Sequence, residues 1–208
     1  MNAETYLQYL QSEIHSTVFG TVDENGNPFT CVIDMMLSDK NGLYFLTAKG
    51  KAFYTRLKAH DIVSVTGFKG ADTMSSRSVT VRGKIREIGS DKLAEIFEKN
   101  PYMAEIYPDE KSRTVLTVFQ IYEGEGEFFD LSQHTIFRES FVFGGAKIQS
   151  GGFFVRDRCI GCKLCYSVCP QKCIDITQKP VVIAQEHCLH CGRCSDICPV
   201  RAIEKISE

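Results

Sequence analysis

Nine of the ten cysteines fall between Cys159 and Cys198, and one, Cys31, stands alone in the first 158 residues. Eight of the nine form two runs, Cys159-x2-Cys162-x2-Cys165-x3-Cys169-Pro170 and Cys188-x2-Cys191-x2-Cys194-x3-Cys198-Pro199. Each cysteine of the first run recurs 29 residues later, and the register continues past the proline, where Cys173-Ile174 aligns with Ala202-Ile203. A repeat held through so many positions is not chance. Three thiolates spaced by two residues can wrap three irons of a cubane. A fourth, at the start of a short helix, points away and ligates the other cubane. The spacing therefore predicts two [4Fe–4S] clusters. Cys159, Cys162, Cys165 and Cys198 would hold one, and Cys188, Cys191, Cys194 and Cys169 the other. Pro170 and Pro199 close each loop, where a missing amide donor is tolerated.

Two other uses of these cysteines are disfavoured. A disulfide scaffold belongs to small secreted domains, and the N-terminus MNAETYLQYLQSEIH has neither a basic n-region nor an apolar h-region. Zinc accepts four thiolates, but zinc ribbons use paired C-x2-C knuckles rather than four-cysteine runs ending in Cys-Pro. Cys173 reads as a small buried filler, because its repeat mate is Ala202. His187 and His190 flank Cys188; with eight thiols serving eight positions, they read as supporting or surface residues. Cys31, between Thr30 and Val32 in an apolar run, reads as an inert thiol.

Something must carry this module. The 208 residues suffice for one ordinary domain and one small one, and 43% hydrophobic with 24% charged residues describes a globular chain. A net charge of -2 argues against a partner bound through nucleic-acid phosphates. No apolar run approaches the ~20 residues of a membrane span, so a cytoplasmic location is expected. Residues 143–152, with four glycines in ten, read as a linker between domains at 1–142 and 153–208. In the first domain a short helix is expected over 4–13, with strands at 17–22, 29–37, 43–47, 62–68, 78–88 and 115–122. Asn25-Gly26 and Asn41-Gly42 mark hairpins. Helices are expected over 51–59 and from Ser90 to Asn100, with His60 at the C-terminal end of the former. About six strands with two or three helices make an α+β fold built on a small antiparallel barrel.

The run from Gly42 through LYFLTAKGKAFYTRLKAHDIVSV to Thr66, followed by Arg77-SVTVRGKIREI, resembles the pyridoxamine-5′-phosphate-oxidase-like split barrel, in particular its nitroimidazole-reductase-like branch. The likeness spans roughly residues 10–125, and the tail resembles a bacterial-type ferredoxin module fused to such a barrel. The resemblance implies a homodimer binding FMN across its interface, with the phosphate gripped by a basic turn and the Arg-x-Val strand. Carried over residue by residue, the cofactor contacts would be Thr47, Lys49, Lys51, Arg77 and Ser78. Ammonium and guanidinium groups with hydroxyl donors suit a phosphate dianion. Residues 29–37 would lie along the flavin. The substrate motif of the true oxidases contains Trp and Arg. This chain has no tryptophan, and an oxygen-dependent oxidase fits poorly beside oxygen-labile cubanes, so that activity is not expected.

Two functions stay open on the sequence. One is an anaerobic flavin oxidoreductase passing electrons between clusters and FMN to reduce a small organic acceptor, fed by a ferredoxin-like or nicotinamide-dependent partner. The other is a non-catalytic electron carrier serving a partner protein. The aromatic segment 127–143 (Phe128, Phe129, Phe137, Phe141, Phe143) is either a lid or dimer arm at the flavin or packing for the ferredoxin module.

Overall fold

The computed structural model describes residues 2–147 and 151–206. They fall into two compact units. The first holds Met1–Lys69, Ser78–Phe128 and Phe141–Lys147; the second holds Gly70–Arg77, Phe129–Ser140 and Ile148–Glu208. The expected linker 143–152 is bounded by structure, since Phe143 closes one strand and Gly152 opens another; its residues 148–150 lie outside the described part.

The first unit is built on one sheet. The strands of that sheet are β1 (Ser16–Val22), β2 (Pro28–Asp34), β3 (Leu37–Asp39), β4 (Gly42–Ala48), β5 (Ile62–Lys69), β6 (Arg77–Gly89), β7 (Leu116–Asp130) and β8 (Phe137–Phe143), of which Arg77, residues 129–130 and residues 137–140 count with the second unit. They run in the order β2-β1-β5-β6-β7-β4-β3, with β8 also paired to β7. Alternation along β1 and β5 sends Phe19, Val63 and Val65 inward, as a half-covered sheet requires. Phe19, Phe45, Phe53 and Phe119 meet there, with Phe19 and Phe45 centroids 4.7 Å apart and Phe45 stacked on Phe119 at 5.6 Å. Burying each such side chain contributes roughly 1.5–3 kcal/mol.

Helix α1 (Ala3–Tyr9) starts where the Asn2 side chain accepts the Thr5 amide, and it continues as a π-turn over Leu10–Ile14. α2 (Ala52–Ala59) follows β4, with His60 as its C-cap as expected; the His60 Nε2 lies 3.0 Å from the Asp23 carbonyl. α3 (Leu93–Lys99) begins three residues after Ser90, and the short α4 (Met103–Ile106) and α5 (Glu110–Arg113) complete the crossing to β7.

The expected strand over 29–37 divides into β2 and β3, with fully buried Met35 between them. The strand expected over 115–122 runs on to Asp130 and returns as β8. Gly124 and Gly126 look like strand breakers in sequence, yet they lie inside β7. A Cβ on Gly124 would meet the Arg82 carbonyl at 2.5 Å, and one on Gly126 the Phe141 ring at 2.4 Å. These glycines permit close approach. The aromatic segment is packing in both units: Phe128 and Phe141 stack on Tyr6 at 4.8 and 5.1 Å, and the Phe137 ring meets His187.

In the second unit, β9 (Gly152–Val155) pairs with β12 (Ile203–Ile206), and β10 (Ile174–Asp175) pairs with β11 (Val182–Ile183). Helices α6 (Leu164–Val168) and α7 (Arg193–Asp196) carry the third cysteine of each run, Cys165 and Cys194, and the fourth stands past the helix C-terminus rather than at a helix start. The 29-residue repeat reappears in the backbone. Left-handed φ recurs in pairs at Gly161 and His190 (71° and 53°), Lys163 and Gly192 (64° and 81°), and Lys172 and Arg201 (51° and 50°). Non-glycine residues rarely adopt this conformation, so its occurrence on both sides marks a required loop path.

Candidate cluster and cofactor sites

The cysteines of the second unit ring two hollows. One is lined by Cys159, Cys162, Cys165 and Cys198, the other by Cys169, Cys188, Cys191 and Cys194, with Cys173 as a fifth. Each hollow thus takes three thiols from one run and the fourth from the other. They are matched in size, each with about 20 Å³ of accessible space. Backbone amides turn toward the sulfurs: the Ala202 amide lies 3.2 Å from Cys198 Sγ and the His190 amide 3.4 Å from Cys188 Sγ. All ten cysteines are free thiols. Among the described residues no three His, Cys, Asp or Glu groups converge as a single-ion site requires. Four sulfurs spread around a matched hollow fit a polynuclear cluster better than zinc.

Cys173 is buried in the core of this unit, 3.6 Å from Cys169 Sγ, while its mate Ala202 lines the other hollow. Hydrogen bonding to Cys188, then burial and a bond to Cys169, push its thiol far up, and the first of those bonds draws the Cys188 thiol down. His187 is a supporting residue: its Nδ1 lies 2.8 Å from the Ile136 carbonyl. Cys31 is half-buried on the edge strand β2, and desolvation raises its pKa, keeping it a weak nucleophile.

In the first unit, Thr47 lies in β4, and Lys49 and Lys51 follow in the turn between β4 and α2. Lys49 and Lys51 are exposed, and Lys51 is the N-cap of α2 with no side chain capping that end. Thr47 is 2% exposed, and its Oγ1 is buried without a hydrogen-bond partner. A buried, unpartnered hydroxyl with two exposed lysines and an uncapped helix start close by in sequence suits a phosphate. Ser78 is elsewhere. Thr47 pairs with Thr117 of β7, whereas Thr80, two residues beyond Ser78, faces Gly126. Nine residues of extended strand separate these positions, roughly 30 Å. Arg77 falls in the second unit, its Nε 3.2 Å from Asp130 Oδ2.

Sequence reasoning missed a half-buried polar cluster beside Thr47. Glu87 accepts from Thr117 at 2.7 Å and from Lys58 at 3.0 Å, with Tyr54 at 3.4 Å. Its signal was absent, because the contributing residues are scattered along the chain from 54 to 117.

Comparison with known proteins assigns the first unit. Residues 4–125, more than half of the chain, match the family described as pyridoxamine 5′-phosphate oxidase. The chain belongs to that family. In addition, residues 158–202 match a 4Fe-4S dicluster domain. This pyridoxamine 5′-phosphate oxidase family member shares its split-barrel fold with solved structures at low identity. A NimC/NimA family protein from Clostridium acetobutylicum aligns with a TM-score of 0.55 and 15% identity, over 67% of this chain and 92% of the other. A heme binding protein from Mycobacterium smegmatis gives 0.52 and 14% over 67% and 57%. A protein related to general stress protein 26, also from Clostridium acetobutylicum, gives 0.50 and 16% over 66% and 94%. No curated protein matches. Among the described residues no helix is long and apolar enough to cross a membrane.

Proposed function

We propose that this protein is an anaerobic iron–sulfur flavoprotein oxidoreductase. In this reading the second unit carries two [4Fe–4S] clusters and the first binds FMN, which reduces a small organic acceptor. The observation that carries it is the pair of matched hollows, each lined by three cysteines of one run and the fourth of the other. Cys159, Cys162, Cys165 and Cys198 would hold the first cluster, and Cys188, Cys191, Cys194 and Cys169 the second.

Thr47, Lys49 and Lys51 would bind the flavin phosphate, and bound FMN would convert one-electron steps into two-electron chemistry. Because Ser78 lies at the far end of the sheet from Thr47, one chain cannot bring it to the same phosphate; a second copy can. A homodimer is also supported by the exposed side chains Val18, Val32, Ile62 and Phe68 on β1, β2 and β5, a face too apolar for bare solvent. A groove of about 450 Å³ runs beside Phe29 and His60, lined mainly by apolar surface. It favours an open, substrate-accepting surface over a closed carrier. Eight low-spaced free thiols suit a reducing cytoplasm, and a ferredoxin-like or nicotinamide-dependent protein would supply the electrons.

Residues 70–77 and 129–140 group with the cluster residues, so cutting the chain after the barrel would strip part of that unit. A ligand substitution is the cleaner test. Cys198→Ala should slow flavin reduction by a reduced ferredoxin-type donor at least tenfold in stopped-flow absorbance, with FMN still bound. Equal rates would mean that the clusters serve another route.

A further inference from the structure

The two halves of the cluster unit repeat in backbone and ligands apart from Cys173, whose mate is Ala202, so two clusters held by them would differ in potential through that thiol and through whatever reaches them from outside the repeat. The tip of the β7–β8 hairpin does so. Three of its hydrogen bonds fall on the rim of the second hollow. The Ile136 amide donates to Gln171 Oε1 at 3.3 Å, the Ile136 carbonyl meets His187 Nδ1 at 2.8 Å, and Arg138 Nη1 donates to the Cys188 carbonyl at 3.2 Å. Gln171 and Cys188 line that hollow themselves. Arg138 also lies 5.6 Å over the Phe129 ring, which fixes its direction.

The first half is served differently. His187 is the repeat mate of Arg158, which precedes Cys159. Arg158 donates to the Arg201 carbonyl at 2.9 Å, and Glu204 forms ion pairs with both Arg158 and Arg156, so this cation is directed at a carbonyl outside the cysteine ligands. Among the described residues, a guanidinium on the carbonyl of a cysteine ligand is found at the second loop, where Arg138 meets Cys188.

We propose that Arg138 is a positioning residue that raises the potential of the second cluster above that of the first, making the second the place where an incoming electron settles. The proposal rests on the cluster reading above. A cubane held by four thiolates gains one negative charge when it accepts one electron. A nearby cation and a donor polarising the ligand loop favour that reduced form. The electron comes from the donor protein already invoked, and no proton or bond change is required.

The test is an anaerobic potentiometric titration of the full chain followed by electron paramagnetic resonance, with iron and sulfide measured on each sample. The wild type should show two separable one-electron steps. In Arg138→Gln the higher step should fall so that its reduction constant drops about tenfold, ~59 mV for one electron, while the lower step stays in place. Arg138→Lys should recover most of that shift; loss of a purely structural strap would not be rescued by a shorter, unforked cation. Two wild-type steps that coincide, or an Arg138→Gln variant in which neither or both steps move, would overturn the proposal. A wild type without sulfide would instead overturn the cluster reading beneath it.

Discussion

The two units gather their candidate functional groups in opposite ways. All eight cluster thiols lie within the 40 residues from Cys159 to Cys198, and two turns of nearly identical backbone deliver them. The barrel draws on strand ends. Thr47, Lys49 and Lys51 stand at one end of the sheet and Ser78 roughly 30 Å away along it. A site built from a local repeat is complete in one chain. A site built from both ends of a sheet is complete only when a second copy supplies the missing end.

The sharpest way to break this comparison is to remove a ligand that crosses between repeats. Cys198→Ala should cost roughly half of the iron and sulfide, because it opens the cluster otherwise held by Cys159, Cys162 and Cys165. Full metal content in that variant would show each run to be self-sufficient. Cys173→Ala, by contrast, should leave the content unchanged, although the side chain lines the second hollow.

The barrel site predicts smaller effects. Lys51→Ala should weaken FMN retention by about 1.5–3 kcal/mol, the scale of one charge-assisted hydrogen bond, measured by fluorescence titration. Undiminished affinity would leave Lys51 a solvated turn residue. Thr47→Val separates ligand from fold. Without flavin it should stabilise the protein by up to about 1 kcal/mol, since the orphaned hydroxyl is removed, yet with flavin it should lose affinity. Equal affinity for both forms would take Thr47 out of the site.

The smallest effect expected is that of Glu87. Despite desolvation, bonds from Thr117 and Lys58 hold its carboxyl below the ordinary 4.5. A lowered folded pKa stabilises above the unfolded value, and that stability fades as pH falls through the folded one. Glu87→Gln should therefore cost about 1 kcal/mol near neutrality and nothing at strongly acid pH, read from denaturant midpoints. A pH-independent cost would assign the loss to packing.

The cluster unit was legible because its chemistry fixes spacing. Cysteine intervals, repeat length and crossed ligand sets are all local in sequence, and the hollows follow them. The barrel's strands were legible where alternation is clean, as in β1 and β5. The β7–β8 hairpin was not, because Gly124 and Gly126 carry the signature of a break while their cause, the Arg82 carbonyl and the Phe141 ring, is remote. Nor could the sequence assign the tip of that hairpin to the cluster unit. Arg138 is one charged residue in an aromatic stretch, and its role depends on a carbonyl 50 residues away.

The central claim is that one chain combines two cubanes with one flavin. The most direct measurement is iron, acid-labile sulfide, zinc and flavin per chain in full-length protein purified without oxygen. About eight iron, about eight sulfide and about one FMN are expected, with negligible zinc. About two zinc ions without sulfide, or clusters without any flavin after reconstitution with FMN, would contradict it.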